Sequence, residues 1–283
     1  MKRVFVLLFL LFFPGTVCAN DTMDVWTTSP WLALVARFIG GVYVQVRPVT
    51  AWKEDAVVVR LVQARDVPFG AHILCLDGDD LREHGFSFSD WKQARQLYDF
   101  LPFPQGETDS YLSDPSVLPF VAQRLLIALS GWDQTHYSYF QRRLAEFQTR
   151  LESTVIVGRK MLAGTRVVDL TGCSTQFLKA ASCVLEKPAP ASQDLWSKGE
   201  GKEELLSYIS EKIRTDRLPV VDDLTSAAIR GVLASIPGVA RLSRPAIDQD
   251  ILLSFYDRYL YLWNMTGRGK SEISSSKGKE PKR

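Results

Sequence analysis

The sequence is poor in the side chains that most often bind metals or act in catalysis. It has three histidines and four cysteines in 283 residues. It contains no Cys-x-x-Cys, no His-Glu-x-x-His, no Gly-x-Ser-x-Gly and no glycine-rich phosphate loop. These absences argue against an enzyme. A dispersed site, such as Cys173 with His136 or a pair of carboxylates, would leave no local signature and is the enzyme alternative that stays open.

Long apolar runs are missing after the leader. A basic pair precedes an apolar run over residues 4–13, and the small residues Val17 and Ala19 have the spacing that signal peptidase requires. This pattern predicts export to the periplasm with cleavage after Ala19. Lipidation at Cys18 is the alternative, but the residues before it lack the expected apolar side chain. No later run approaches the ~20 residues of a membrane span, so we expect a soluble mature protein.

Strong charge of one sign is also missing from the body of the chain. The net charge is +2, and the positive charge concentrates at the two ends. The tail over residues 268–283 has six basic and two acidic residues, which leaves the middle of the chain net negative. This distribution excludes a nucleic-acid footprint. The tail is low in apolar residues and is predicted to be disordered and solvated.

Three cysteines remain beyond the leader: Cys75, Cys173 and Cys183. An exported protein can oxidise two of them, and Cys173 with Cys183 is the best pair. If both lie on one helix, however, their separation of about 15 Å is too long for a disulfide. A bridge and buried free thiols therefore both stay open.

The mature chain opens with a β-α-β pattern. A short strand over 24–27 leads to a helix with Ser29 as its N-cap and Pro30 in the first turn. That helix closes at the glycine pair starting with Gly40, and the alternating stretch 42–49 is typical of a strand. Such a unit implies parallel strands.

The same alternation returns later in the chain, which predicts a second α/β unit. A Pro/Gly/charge-rich stretch inside it is typical of a surface loop. The strand predicted over 71–80 belongs to the first unit. In the second unit the predicted strands are 165–172, 218–223 and 239–245, the helices are 174–186 and 225–238, and the loop is 187–204.

A long helical segment separates the two α/β units. Its predicted bounds are 114–152, with Asp114 as N-cap and Pro115 in the first helical position. Gly131 is expected to kink or break it, because glycine costs a helix about 1 kcal/mol relative to alanine. The predicted fold class is therefore α/β, with two α/β lobes, 20–113 and 153–267, joined by a long backbone helix and a ligand cleft between them.

These residues resemble the periplasmic solute-binding proteins of ABC importers for zinc and manganese. The resemblance spans about residues 23 to 262 and is carried by four stretches in order. They are "VWTTSPWLALVARFIGGVYVQV", "AHILCLDGDDLREHG", "SYLSDP" and "DQTHYSYFQRRLAEFQTRL". The resemblance implies the two-lobed fold, a periplasmic monomer and an ABC permease in the inner membrane as partner.

The chain departs from this family at the metal site. Members bind a divalent ion with three histidines and one carboxylate, ligands that suit zinc or manganese. None of the three histidines here, His72, His84 and His136, matches a ligand position. The matching positions hold Ala56 beside Glu54 and Asp55, then Ser110, then Cys173 or its neighbours, and finally Ser243 or Arg244.

The resemblance therefore indicates Asp55, Asp109, Ser110, Cys173 and Arg244 as candidate ligand-binding residues. Carboxylates with a thiolate could still bind a divalent or soft metal ion, whereas Arg244 would favour an anionic ligand. The predicted function is the solute-binding component of a metal-type ABC importer with a degenerate or altered site.

The alternative is a non-transporting interaction protein that keeps the fold. Exposed aromatic side chains would support it, since interfaces are rich in them. The candidates are Trp31, Trp52, Trp91, Trp132 and Trp196.

Overall fold

A computed structural model describes residues 22–53, 58–104 and 106–266 of the chain. The predicted leader, the basic tail and Asp55 lie outside these described residues. Of the helices that are described, none is both long enough and apolar enough to cross a membrane.

The first half of the molecule is built on a parallel four-stranded sheet. Its order is β2-β1-β5-β6, and β3 and β4 form a separate antiparallel hairpin. Short 3-10 helices lie at Gly41–Tyr43 and Ala64–Asp66. The elements are β1 (Met23–Thr27), α1 (Pro30–Gly40), β2 (Val44–Pro48), β3 (Thr50–Trp52), β4 (Val58–Arg60), β5 (His72–Cys75), α2 (Gly78–Glu83), β6 (Ala94–Gln96) and α3 (Thr108–Leu112).

The predicted start of α1 is confirmed. The Ser29 hydroxyl accepts the backbone N–H of Trp31, and Pro30 occupies the first turn. Pro30 has no N–H to leave unpaired, and its fixed φ suits a helix. The helix is buried almost all round, because the first sheet covers one side and two later helices cover the other.

Two helices, α4 (Leu118–Trp132) and α5 (Tyr137–Leu162), connect the halves. The helical segment predicted over 114–152 is broken close to the predicted place near 131, but its predicted outer bounds were wrong, because the helices begin at Leu118 and end at Leu162. The chain turns at Asp133, whose carboxylate binds the backbone N–H and ring Nδ1 of His136. Gly131 stays inside α4. A side chain that binds nearby backbone competes with helix continuation, and this explains the break better than glycine does.

The second half repeats the architecture of the first. Its sheet is also fully parallel, with order β10-β9-β7-β8. Numbered within each half, and leaving the hairpin out, both sheets have the order 2-1-3-4. The elements are β7 (Arg166–Asp169), α6 (Thr175–Ala180), β8 (Val184–Glu186), α7 (Pro190–Ser197), α8 (Lys202–Arg214), β9 (Leu218–Asp222), α9 (Ala227–Leu233), β10 (Ala240–Leu242) and α10 (Ile251–Met265).

Three local predictions in this half were wrong. The stretch 187–204 is not a loop, because α7 and the start of α8 lie in it. The helix predicted over 174–186 ends at Ala180, since Ser182 takes a positive φ of 60° before β8. The helix predicted over 225–238 ends at Leu233.

The cysteines are free thiols in the described part of the chain, so the disulfide alternative was wrong. Cys173 precedes α6 and Cys183 follows it, and each thiol has its own environment. The Cys173 thiol faces Asp222 at 3.3 Å, whereas the Cys183 thiol faces the carbonyl of Leu162 at 3.9 Å.

Candidate functional site

Three of the candidate residues lie where the carboxyl ends of strands from both halves approach each other. Asp109 belongs to α3 of the first half, while Cys173 follows β7 and Arg244 follows β10 of the second. The Ser113 hydroxyl donates to the carbonyl of Cys173 at 2.7 Å and joins the halves directly. Ligands of open α/β sheets bind at such carboxyl ends. We call the space between Ala51–Lys53 and residues 243–248 the inter-lobe cleft.

An ion pair spans the two halves beside this cleft. Arg244 donates from Nη1 to the Asp109 carboxylate at 3.2 Å, and its side chain is only 4% exposed. The other Asp109 oxygen accepts the indole N–H of Trp31 at 2.6 Å. Both oxygens of Asp109 are therefore occupied by donors of the protein itself.

Aromatic rings hold this arginine in place. The Arg244 guanidinium lies 4.9 Å from the centre of the Trp52 ring, a distance typical of a cation–π contact. Trp52 in turn meets Trp31 edge-on at 5.2 Å. A further contact between halves comes from Arg37 of α1, which donates to the carbonyl of Ile247.

The remaining edge of Arg244 has no hydrogen-bond partner. Its Nε and Nη2 groups are buried and unpaired among the described residues. Asp223 lies nearest, with Oδ2 at 3.9 Å from Nε, but this oxygen accepts the backbone N–H of Arg244 at 2.8 Å instead. A separation of 3.9 Å is too long for a hydrogen bond.

Asp222 organises the loop that carries Cys173. Its carboxylate accepts the backbone N–H groups of Gly172, Cys173 and Ser174 at 2.8 to 3.0 Å. Burial favours the neutral acid, but these bonds outweigh burial and lower the pKa of Asp222. The group is therefore a structural anion that fixes the loop after β7.

Cys173 is not prepared to act as a thiolate ligand. It is 2% exposed, and burial together with the Asp222 charge raises the pKa of its thiol far above the ordinary value. A metal ligand must lose this proton. Behind it, the buried Arg258 donates to the Ser174 hydroxyl at 2.8 Å and lies 4.1 Å from the Phe177 ring, and burial lowers its pKa.

The described residues do not fit a metal ion of the kind that the resemblance implies. They contain no group of three or more His, Cys, Asp or Glu side chains that could hold one. Ser110 is half-buried on α3 and adds only a hydroxyl. The guanidinium of Arg244 already neutralises Asp109. The protein's own cation therefore lies where the family's metal ion would be expected.

The histidines have other roles in the structure. His72 starts β5, where burial lowers its pKa. His84 caps α2 and binds Asp80; burial opposes its protonation, but the bonds to Asp80 prevail and raise its pKa. His136 binds Asp133 and stacks on Tyr43 with 3.7 Å between ring centres.

A cavity of about 390 Å³ lies in the first half beside α2 and carries several carboxylates. Two of them have structural roles. Asp80 accepts the Thr28 hydroxyl at 2.6 Å and the backbone N–H of Leu76 at 2.7 Å, and Asp77 caps α2. This cavity therefore offers less binding chemistry than its charge suggests.

Sequence reasoning named Asp109, Cys173 and Arg244 as candidates, and it missed the residues that contact them. The stretch "LPVVDD" held a usable signal, since two acids directly after a buried parallel strand lie at the ligand-binding edge. Those acids are Asp222 and Asp223. Nothing local in the sequence marks Trp52 or Arg258 as a neighbour of the site.

No protein-family model and no curated protein matches the sequence. Solved structures do match over nearly all of the chain. One described as ZnuA has 14% identity and a TM-score of 0.62, and the match covers 87% of this chain and 100% of that one. The laminin binding protein Lmb of Streptococcus agalactiae, described as an adhesin with metal transporting activity, has 12% identity and a TM-score of 0.60, over 86% and 99%.

A periplasmic metal binding protein from Candidatus Liberibacter asiaticus matches at 11% identity and a TM-score of 0.56, over 87% of this chain and 100% of that one. At sequence identities this low, the structural similarity establishes the fold and nothing more. The chain has the two-lobed α/β fold of periplasmic metal-binding proteins, as the sequence predicted.

Proposed function

We propose that this protein is the exported solute-binding component of an ABC importer and that its solute is not a transition-metal ion. The fold supports the first part, because the structures that share it are described as metal-binding and metal-transporting proteins. The leader in the sequence supports a periplasmic location. A permease in the inner membrane is then the partner.

The observation that carries the second part is the Arg244–Asp109 ion pair. It places a guanidinium between the halves, within 3.2 Å of the carboxylate best placed to bind a cation there. A divalent ion in this space would face the repulsion of a buried positive charge that cannot be deprotonated. The high thiol pKa of Cys173 removes the remaining soft ligand.

The test is native mass spectrometry of the protein isolated from periplasm without chelator, paired with elemental analysis. We expect no stoichiometric zinc or manganese and one bound organic solute per chain. Zinc added afterwards should bind no more tightly to the wild type than to Cys173→Ser. One tightly held transition metal per chain would contradict the proposal.

The alternative is an interaction protein that keeps the fold without transport. Three of the five tryptophans named as candidates do not support this alternative, because they are buried. Trp31, Trp91 and Trp196 are only 1%, 9% and 2% exposed. Exposed phenylalanines do favour it: Phe69 and Phe100 are 91% and 88% exposed. If neighbouring genes lack a permease and an ATPase, and if the isolated chain carries no solute, this alternative gains.

A further inference from the structure

The inter-lobe cleft contains a cavity of about 440 Å³ with walls from both halves. Trp52 and Lys53 line it on the first half, and Asp223, Arg244 and Asp248 line it on the second. This volume falls in the range of small-molecule sites. A site shared by two lobes is also the arrangement in which a bound solute contacts both.

Arg244, which lines this cavity, has an unused pair of donors that lie buried beside it. Nη1 already binds Asp109, which leaves Nε–H and Nη2–H on the adjacent edge of the guanidinium without partners. These two N–H groups are parallel and match the two oxygens of a carboxylate. Leaving buried donors unpaired costs free energy, and a carboxylate ligand would recover that cost.

Charged side chains of both signs line the cavity. Lys53 and Arg244 are cationic, and Asp223 and Asp248 are anionic. A divalent anion such as phosphate would meet two carboxylates, and a metal ion would meet two cations. A solute with one carboxylate and one ammonium group can satisfy both sets, while Trp52 provides an apolar wall for the rest of it.

Entry of such a solute requires movement. Nε and Nη2 are covered in this conformation, so the groups over them must move before a ligand reaches them.

We propose that the inter-lobe cleft binds a small zwitterion of the amino-acid type, with its carboxylate on the Nε–Nη2 edge of Arg244 and its ammonium group near Asp223 and Asp248. This inference rests on the solute-binding role proposed above and names the class of solute.

In the experiment, the mature protein is incubated with an equimolar mixture of the standard proteinogenic amino acids, and native mass spectrometry identifies the amino acid that stays bound. Isothermal titration calorimetry then measures the affinity of the protein for three compounds: the retained amino acid, the corresponding amine that lacks the carboxylate, and the corresponding acid that lacks the ammonium group. We expect one amino acid per chain and at least about tenfold weaker binding of either truncated compound, as the loss of one charge-assisted contact implies.

Two variants locate the site. Arg244→Lys keeps the charge but loses the paired donors, and Asp248→Asn removes one exposed carboxylate. Both should weaken binding at least about tenfold. Arg166→Lys is the matched control, because Arg166 is half exposed at the opposite, amino end of β7 and should leave binding unchanged. Circular dichroism confirms that each variant is folded.

Retention of no amino acid, equal binding of the compounds that lack the ammonium group, or unchanged binding in both Arg244→Lys and Asp248→Asn would each overturn the proposal. A different organic solute found in the periplasmic protein would overturn it too but would leave the importer role intact. One transition metal per chain would instead contradict the importer role in the form proposed.

Discussion

At the scale of single residues, the site is held by acids that the protein itself satisfies. Asp222 accepts three successive N–H groups after β7 and also those of Leu224 and Thr225. Asp109 is shared between Trp31 and Arg244. These carboxylates are parts of the scaffold around the cleft and not free ligands.

Asp222→Asn tests this at the residue scale. The amide keeps the shape but turns an NH₂ group toward backbone N–H donors, so we expect a loss of about 2–3 kcal/mol in the free energy of unfolding at neutral pH. Urea titration measures it. Asp216→Asn is the control, because the side chain of Asp216 is 92% exposed, and it should change stability little.

The pH dependence of this difference has a defined sign. The folded pKa of Asp222 is lowered, so its stabilisation is complete above the unfolded value of about 3.9 and is lost as pH falls through the folded pKa. The gap between wild type and Asp222→Asn should therefore narrow in acid. A gap that stays constant down to the acid transition would contradict the role of the ionised carboxylate.

What the sequence revealed at this scale was partial. Asp109 and Arg244 could be named as candidates because a family resemblance pointed to their positions. The contact between them could not be predicted, because the two residues are 135 positions apart in the sequence and meet only when both halves fold. Asp222 was missed although its place at the end of a clear strand marks it as close to the ligand-binding edge; that place alone does not separate a structural acid from a ligand-binding or a solvated one.

At the scale of elements, the contact between α5 and α10 depends on a glycine. A Cβ on Gly158 would lie 2.6 Å from ring carbons of Tyr259. No atom lies within 4 Å of the same point at Gly131 in α4. Close packing therefore requires a glycine at position 158 but not at position 131. The sequence alone does not reveal this difference.

Alanine substitutions at these glycines should act in opposite directions. Gly158→Ala forces α5 and α10 apart, and overpacking of about 1–3 kcal/mol should exceed the helix-propensity gain of about 1 kcal/mol. Gly131→Ala should stabilise by about 0.5–1 kcal/mol because nothing opposes the gain. Thermal unfolding followed by circular dichroism compares the pair. Stabilisation by both substitutions would show that α10 does not pack on α5 this closely.

Prediction from the sequence was best for elements with strong local signals. The Ser29-Pro30 start of α1 and the buried strands β7 and β9 are examples. Prediction failed where tertiary packing, and not the local sequence, determines the secondary structure. The stretch 187–204 has the composition of a loop, yet the buried Trp196 anchors α7 there.

At the scale of the whole molecule, α10 completes the second half. Helix α10 packs along α5, and its Tyr259 and Phe255 rings lie 4.3 and 5.5 Å from Phe177 of α6. Arg258 of the same helix reaches the Ser174 hydroxyl beside the cleft loop. The sequence analysis did not predict this helix, yet it links the connecting helices to the site.

Two truncations separate this helix from the tail that follows it. Removal of residues 251–283 would expose the buried faces of α5 and α6 and leave Ser174 without Arg258, so we expect loss of cooperative unfolding of the mature protein. Removal of residues 268–283 alone, the segment predicted to be disordered, should leave the melting temperature unchanged. Differential scanning calorimetry distinguishes the two. If the shorter truncation also destabilises the protein, the basic tail packs on the body, and its role as a solvated segment is wrong.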